Sequence, residues 1–261
     1  MKNTVLKLMP IAVGVALSIL LMNPQQWLRG LGAVGHLGTR ALVAVLFLVF
    51  IGVLISANMP PDLKSSFLQG APVPPELQSL AREFQQLGFK PIGPPLQAAI
   101  TPPAILLGFV REGERTYGSV FRTGTIPAKT SYDCVSIFEG DRGWLTTGPT
   151  ARGAVLPSSP GSLRQVFPGA SAAELFDRHR EALRYLHSRG IAPRPLKAGG
   201  FQSDLRASMR RQRCAFLSSP VVGTVVTLWR VMRETTPHIG GIEKKAIAEK
   251  QIRKILSGRT S

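Results

Sequence analysis

The first 61 positions contain no aspartate or glutamate; all 15 acidic residues lie between Asp62 and Glu249. Carboxylate chemistry is therefore excluded from the N-terminal quarter of the chain. Cysteine is scarce too. Cys134 and Cys214 stand 80 positions apart, form no CxxC, and have no histidine at metal-ligand spacing, which excludes a disulfide scaffold and a Cys/His zinc site. Two buried free thiols are one reading, and a bridge is open only in an oxidising compartment. Aromatics amount to 7%, sparse for a single-strand nucleic-acid binder, which interleaves stacking rings with basic residues. No GxxxxGK[ST] or GxSxG occurs, so neither a P-loop nor a nucleophile elbow is written in the chain.

What the N-terminal region does have is apolar length. Residues 5–22 (VLKLMPIAVGVALSILLM) carry one charge, Lys7, placed where a long side chain snorkels to headgroups. A signal peptide is the rival reading, with Lys2 and Lys7 as its basic start. The following Asn23, Pro24, Gln25 and Gln26 offer no small-x-small cleavage site, which favours an uncleaved span. Residues 41–57 (ALVAVLFLVFIGVLISA) carry no charge. They are apolar on every side rather than along one stripe, unlike a surface helix. Seventeen residues rise about 26 Å, and Asn58 with Met59 extends this towards a ~30 Å hydrocarbon core. Two such runs joined by residues 23–40 predict a transmembrane hairpin within 1–59. Trp27 suits the interface, and Gly14 with Ser18 suits close helix packing. Lys2, Lys7 and Lys64 flank the outer ends, against Arg29 and Arg40 in the loop. This leans towards both ends, and the soluble domain, lying on the cytoplasmic side.

The rest of the chain is basic: 28 of the 32 Lys/Arg lie beyond position 60, and the whole carries a formal charge of +17. Three readings follow: a solubilising surface, a face against anionic headgroups, or a nucleic-acid footprint. A membrane anchor favours headgroups over nucleic acid.

Four regions are expected: the hairpin at 1–59, a Pro-rich extended linker at 60–75, an α+β soluble domain at 76–200, and a basic helical region at 201–261. Leu77, Leu80, Phe84 and Leu87 recur at helical spacing, with Pro75 at the start and Gly88 at the end. Residues 91–103 (PIGPPLQAAITPP) read as a break in regular structure. Residues 104–111, 116–123, 131–138 and 144–147 then read as strands separated by turn residues, predicting an antiparallel meander sheet. Cys134 shares a strand face with Tyr132, Ser136 and Phe138 and is expected to be buried. Residues 150–169 read as loop. Ser171 to Glu174 matches the capping box that opens a helix to about Ser188, closed by Gly190 and Pro193. Helices packed on a meander predict two layers.

Residues 204–217 read as a helix bearing Arg206, Arg210, Arg211 and Arg213. Residues 220–232 (PVVGTVVTLWRVM) are too short to span and read as a docked core helix or an interfacial one. Residues 244–254 form a basic amphipathic helix with Lys244, Lys245, Lys250, Arg253 and Lys254, read as a solvated tail or a membrane-surface contact. These nine cations are the candidate contact residues for membrane lipid or a protein partner.

Catalytic candidates are few. A Cys134–His179 pair across a sheet–helix interface is geometrically conceivable and would make a small hydrolase or transferase, although one Cys and one His in an interface are usually packing. His179 and His187 are eight apart, too far to chelate one ion as an i,i+4 pair does. Glu112/Glu114 and Glu139/Asp141 sit in turns, where solvation explains them. No cofactor or metal is expected.

The order Leu87-Gly88-Phe89, Ser136-Ile137-Phe138, Trp144-Leu145-Thr146-Thr147, then Leu175, His179-Arg180 and Leu183 resembles uncharacterised bacterial membrane-anchored proteins over residues 77–186. That resemblance implies an anchored α+β domain and no activity. The leading expectation is a membrane-anchored, non-enzymatic domain that binds a protein partner or the anionic membrane surface.

Overall fold

A computed structural model describes residues 65–67, 73–98, 104–123, 129–150, 161–218, 241–242 and 246–257. Both expected spans, 5–22 and 41–57, lie outside these residues, as do the run 220–232 and Lys244 and Lys245. Among the described residues, no helix is long and apolar enough to cross a membrane.

The described chain is an α+β fold built on one mixed sheet. Its strands are β1 (Ser65–Phe67), β2 (Lys90–Pro91), β3 (Leu96–Ala98), β4 (Ala104–Arg111), β5 (Thr116–Thr123), β6 (Lys129–Ile137), β7 (Trp144–Gly148) and β8 (Ser162–Val166). The order across the sheet is β1-β3-β4-β5-β6-β7-β8, with β2 also on β4. The expected meander β4–β5–β6–β7 is present and antiparallel, while β8 runs parallel to β7.

Four helices cover the sheet: α1 (Pro75–Gln86), α2 (Ala172–Ser188), α3 (Phe201–Leu217) and α4 (Ala246–Leu256). Helices α1 and α2 stop in the same way. Gly88 (φ +82°) and Gly190 (φ +80°) take the left-handed conformation. This lets the next amide reach back five residues, Phe89 N–H to Phe84 O at 3.1 Å and Ile191 N–H to Leu186 O at 3.0 Å. At the start of α2, the capping box read from Ser171 and Glu174 is formed in both directions.

Strand register assigns the faces. Leu107, Phe109, Val120 and Cys134 project to one side and meet Leu77 and Phe84 of α1 and Leu175 and Phe176 of α2. Leu145 and Leu163 lie on the same side, against Leu183 and Leu186 of α2 and Ile252 and Ile255 of α4. The alternate residues Ala104, Val110 and Tyr117 project to the other side and meet Phe201, Leu205 and Met209 of α3.

The fold is therefore three layers, not the expected two, because α3 covers the second face. Two glycines, one on each face, admit the rings that pin the layers. A Cβ at Gly118 would lie 2.6 Å from the Phe84 ring, and one at Gly108 would lie 2.6 Å from the Phe201 ring on the opposite face.

Three stretches read as irregular hold strands. Within 91–103, β3 pairs with β4, and Pro91 is tolerated because β2 is a two-residue edge piece. Within the 60–75 linker, β1 pairs with β3. Within 150–169, β8 buries Leu163, Gln165 and Val166. The glutamine in this alternation hides its strand character. Helix α4 is docked rather than a free tail: Ile252 and Ile255 are each 1% exposed.

Candidate functional site

The most concentrated polar chemistry lies under α2. The apolar stripe Leu175, Ala182, Leu183 and Leu186 turns His179 into the core as well, and the ring is fully buried. Its two nitrogens meet hydroxyls from neighbouring strands: Nε2 lies 2.9 Å from Ser136 Oγ on β6, and Nδ1 lies 2.8 Å from Thr147 Oγ1 on β7.

The surrounding partners fix the proton positions. Ser136 donates its hydroxyl proton to the Arg115 carbonyl at 2.8 Å, so its oxygen accepts from Nε2–H. Thr147 Oγ1 accepts from Gln165 Nε2 at 2.8 Å and donates to Nδ1. Gln165 Nε2 also donates to the Arg178 carbonyl at 3.0 Å, and its Oε1 accepts from Ile242 N–H at 3.4 Å. Thr116 Oγ1 donates to the Glu114 carbonyl at 2.9 Å and stands 3.1 Å from Ser136 Oγ. The network also holds the β4–β5 turn, where Arg115 sits at φ +51° with Nη1 donating to Pro193 O at 2.6 Å.

Burial pulls the His179 pKa down from 6.5 to about 3, so the ring is neutral at physiological pH. Serine and histidine at hydrogen-bond distance are the components of a nucleophile–base pair. Here they carry no carboxylate orienter and no route for a substrate, because Ser136, Thr147 and His179 are all fully buried. The arrangement locks α2 in register on the sheet.

Cys134 lies beside this cluster without joining it. Its side chain is fully buried among Phe84, Phe89 and Val120, and both His179 nitrogens are engaged by hydroxyls rather than by the thiol. Burial, and then the neighbouring Asp133, pushes the Cys134 thiol well above its usual pKa, which suppresses the nucleophilic thiolate. Cys214 is exposed on α3, not buried as expected, and the two thiols are free. On the α3 side of the sheet, Asp133 accepts a hydrogen bond from Ser119 Oγ, and burial raises its carboxyl pKa against the pull of Arg164.

Clefts are small. One of about 200 Å³ lies between Ile92, Leu96, Gly108, Phe201 and Gln202. Another of about 130 Å³ lies between Phe138, Arg142, Ile191 and Leu256. Pockets for organic ligands usually run from about 300 Å³ upward. Among the described residues, no group of three or more His, Cys, Asp or Glu is placed to hold a metal ion.

The candidate cations divide between two faces. On α3, Arg206 and Arg210 are exposed, while Arg211 and Arg213 are half-buried. The Arg211 guanidinium stands 6.0 Å from the Trp144 ring, and Arg213 Nε is buried without a partner among the described residues. On α4, Lys250, Arg253 and Lys254 are exposed on the side away from Ile252 and Ile255. Helices α3 and α4 lie on opposite faces of the sheet, so these two sets do not form one surface.

What α4 does meet is the C-terminal half of α2. Glu249 accepts from Tyr185 Oη at 2.7 Å and from Arg189 Nη2 at 2.6 Å. This brings Arg189 to α4, while Arg184 is exposed on the outward side of α2. Sequence reasoning missed both, because the docking of α4 beside α2 is not written in the period of either helix. The helical period already put Arg184 on the outward side.

No known protein family, no curated protein and no solved structure matches the chain. The class that can be stated is an α+β fold with a mixed sheet and helices.

Proposed function

We propose that this chain is a membrane-anchored binding protein without catalytic chemistry, and that the cations of one of its basic helices, α3 or α4, lie against anionic headgroups on the cytoplasmic side. The observation that carries the reading is a separation of chemistries. The histidine–hydroxyl cluster is sealed in the core, whereas Arg206, Arg210, Lys250, Arg253 and Lys254 stand exposed on helices docked to that core. Each cation held near an anionic leaflet contributes about 1 kcal/mol, so several on one surface suffice to orient a domain already tethered to the membrane. The two apolar runs at 5–22 and 41–57 support the tether.

The test uses the full chain reconstituted in vesicles, with membrane-impermeant reagents on both sides of the bilayer. Modification rates are measured at Lys250 and Lys254 on α4 and at Cys214 on α3. Slower modification on at least one helix in anionic vesicles, restored by raised salt, supports the reading. Equal rates on both helices in neutral and anionic vesicles overturn it.

A further inference from the structure

We infer that the surface formed by the C-terminal half of α2 together with α4 is the one that faces the headgroups, and that the sheet lies along the membrane rather than standing on it. This rests on the anionic-surface reading above and adds which face makes the contact.

The first argument is composition. Arg184, Arg189, Lys250, Arg253 and Lys254 are all exposed on these two neighbouring helices. The one carboxylate between the helices, Glu249, is occupied by Arg189 and Tyr185. On α2 the neighbouring Glu181 is paired with Arg178 at 3.0 Å. Among the described residues, no carboxylate lies within ion-pair reach of Arg184, Lys250, Arg253 or Lys254. On α3, by contrast, Arg211 is engaged over Trp144 and Arg213 is half-buried.

The second argument is rigidity. Lys250, Arg253 and Lys254 follow an i, i+3, i+4 spacing, which aligns them on one side of a helix whose opposite side is fixed by buried Ile252 and Ile255. The Tyr185–Glu249–Arg189 contacts hold α4 against α2. The helix backbone therefore presents the charges from set positions. Leu256, the last residue of the helix, is an apolar side chain left 46% exposed beside these cations.

The third argument is topology. Strand β1 follows residues 41–57 by a short step and forms one end of the sheet path, while β8, against which α4 lies, forms the other. Seven strands at ~4.8 Å spacing place those ends about 29 Å apart. A tether at the β1 edge alone would let the β8 edge stand away from the bilayer. Cations at that far edge reach headgroups when the α2–α4 face turns down, so tether and patch together define a flat orientation.

The experiment compares two thiol reporters in the full chain in vesicles. One is S188C on the outward side of α2, in a C214S background. The other is the native Cys214 on α3. We expect labelling of S188C by an impermeant maleimide to slow several-fold in anionic relative to neutral vesicles, and to recover at high salt. Cys214 should change less than twofold. The double variant R184E/R253E should abolish the S188C protection, whereas R206E/R210E should leave it. Protection of Cys214 without protection of S188C overturns the face assignment and leaves the anionic-surface reading standing. Protection of neither reporter overturns both. Circular dichroism on each variant identifies any that fails to fold, and for those the single changes R184E and R253E are read instead.

Discussion

His179 Nε2 and Ser136 Oγ stand 2.9 Å apart with neither side chain exposed. The contact ties the centre of α2 to the centre of the sheet through a ring that must stay neutral. The unfolded chain protonates His179 near pH 6.5, whereas the folded protein resists until about pH 3. Between those values the unfolded state binds more protons. Stability from this site is therefore fully present above pH 6.5 and is lost as pH falls towards 3. The slope approaches 1.4 kcal/mol per pH unit within that window. Asp133 works the other way, since its raised carboxyl pKa favours the folded state at low pH and loses that advantage as pH rises. Urea unfolding of the full chain in detergent between pH 7 and 4 should show the acid-side loss. It should be steeper in Asp133→Asn and flattened in His179→Gln. A wild-type profile without an acid-side loss would show that His179 is not buried neutral.

Gly108 and Gly118 make a second pair of tests, one on each face of the sheet. A methyl at either position would sit 2.6 Å from a phenyl carbon of a buried ring, with Phe84 at 0% and Phe201 at 6% exposure. Gly118→Ala and Gly108→Ala should each cost about 1–3 kcal/mol by overpacking. Gly199→Ala, with nothing within 4 Å of the new methyl, should cost far less. Phe84→Leu should recover part of the Gly118→Ala loss but none of the Gly108→Ala loss. Thermal melts of the single and double variants read this directly, and equal losses in both combinations would remove the layer assignment.

The parts of this fold that could be read in advance are those in which local signals agree. The capping box of Ser171 and Glu174, the apolar spacing of α1 and the turn residues between β4 and β7 all point the same way as the final packing. Strand β8 escaped because its inward positions are Leu163 and Gln165, and a glutamine becomes a core residue only when Thr147 and the Arg178 carbonyl are there to meet it. Strands β1 and β3 are three residues each, too short for alternation to register. His179 was visible on the apolar face of α2, but its partners were not. Ser136 and Thr147 belong to different strands, and register alone brings them to one ring. The same limit applies to the basic surface, where helical period shows which cations share a helix side but not that α4 settles beside α2 while α3 crosses the other face.

The two thiols should differ sharply in reactivity. Cys214 is exposed on α3 and should react with a soluble disulfide reagent at a rate near that of a free thiol. Cys134 is fully buried with its thiolate disfavoured, and should react only as fast as the protein opens. Timed labelling and mass analysis should give one equivalent rapidly and the second only in denaturant. Rapid reaction of Cys134 in the folded protein would reopen the question of a thiol acting in chemistry.

Helix α4 offers the sharpest division between a tail and a working part of the fold. Its composition suits a solvated segment, with lysine or arginine at three of the seven positions from Lys250 to Leu256, so Ile252 and Ile255 decide the outcome. Both isoleucines are buried against Leu145, Leu163 and Leu186, and the Ile242 amide on the approach to α4 donates to Gln165 at 3.4 Å. Truncating a buried isoleucine to alanine removes its burial and leaves a cavity, at a cost of about 2–5 kcal/mol. Ile252→Ala and Ile255→Ala should each lower the unfolding midpoint by an amount in that range, and the double variant should cost more than either. Lys250→Ala and Lys254→Ala, whose side chains point to solvent, should stay within about 0.5 kcal/mol of the parent. If the isoleucine and lysine changes proved equally silent, α4 would be a tail after all, and the cations it carries would have no fixed place from which to meet a membrane.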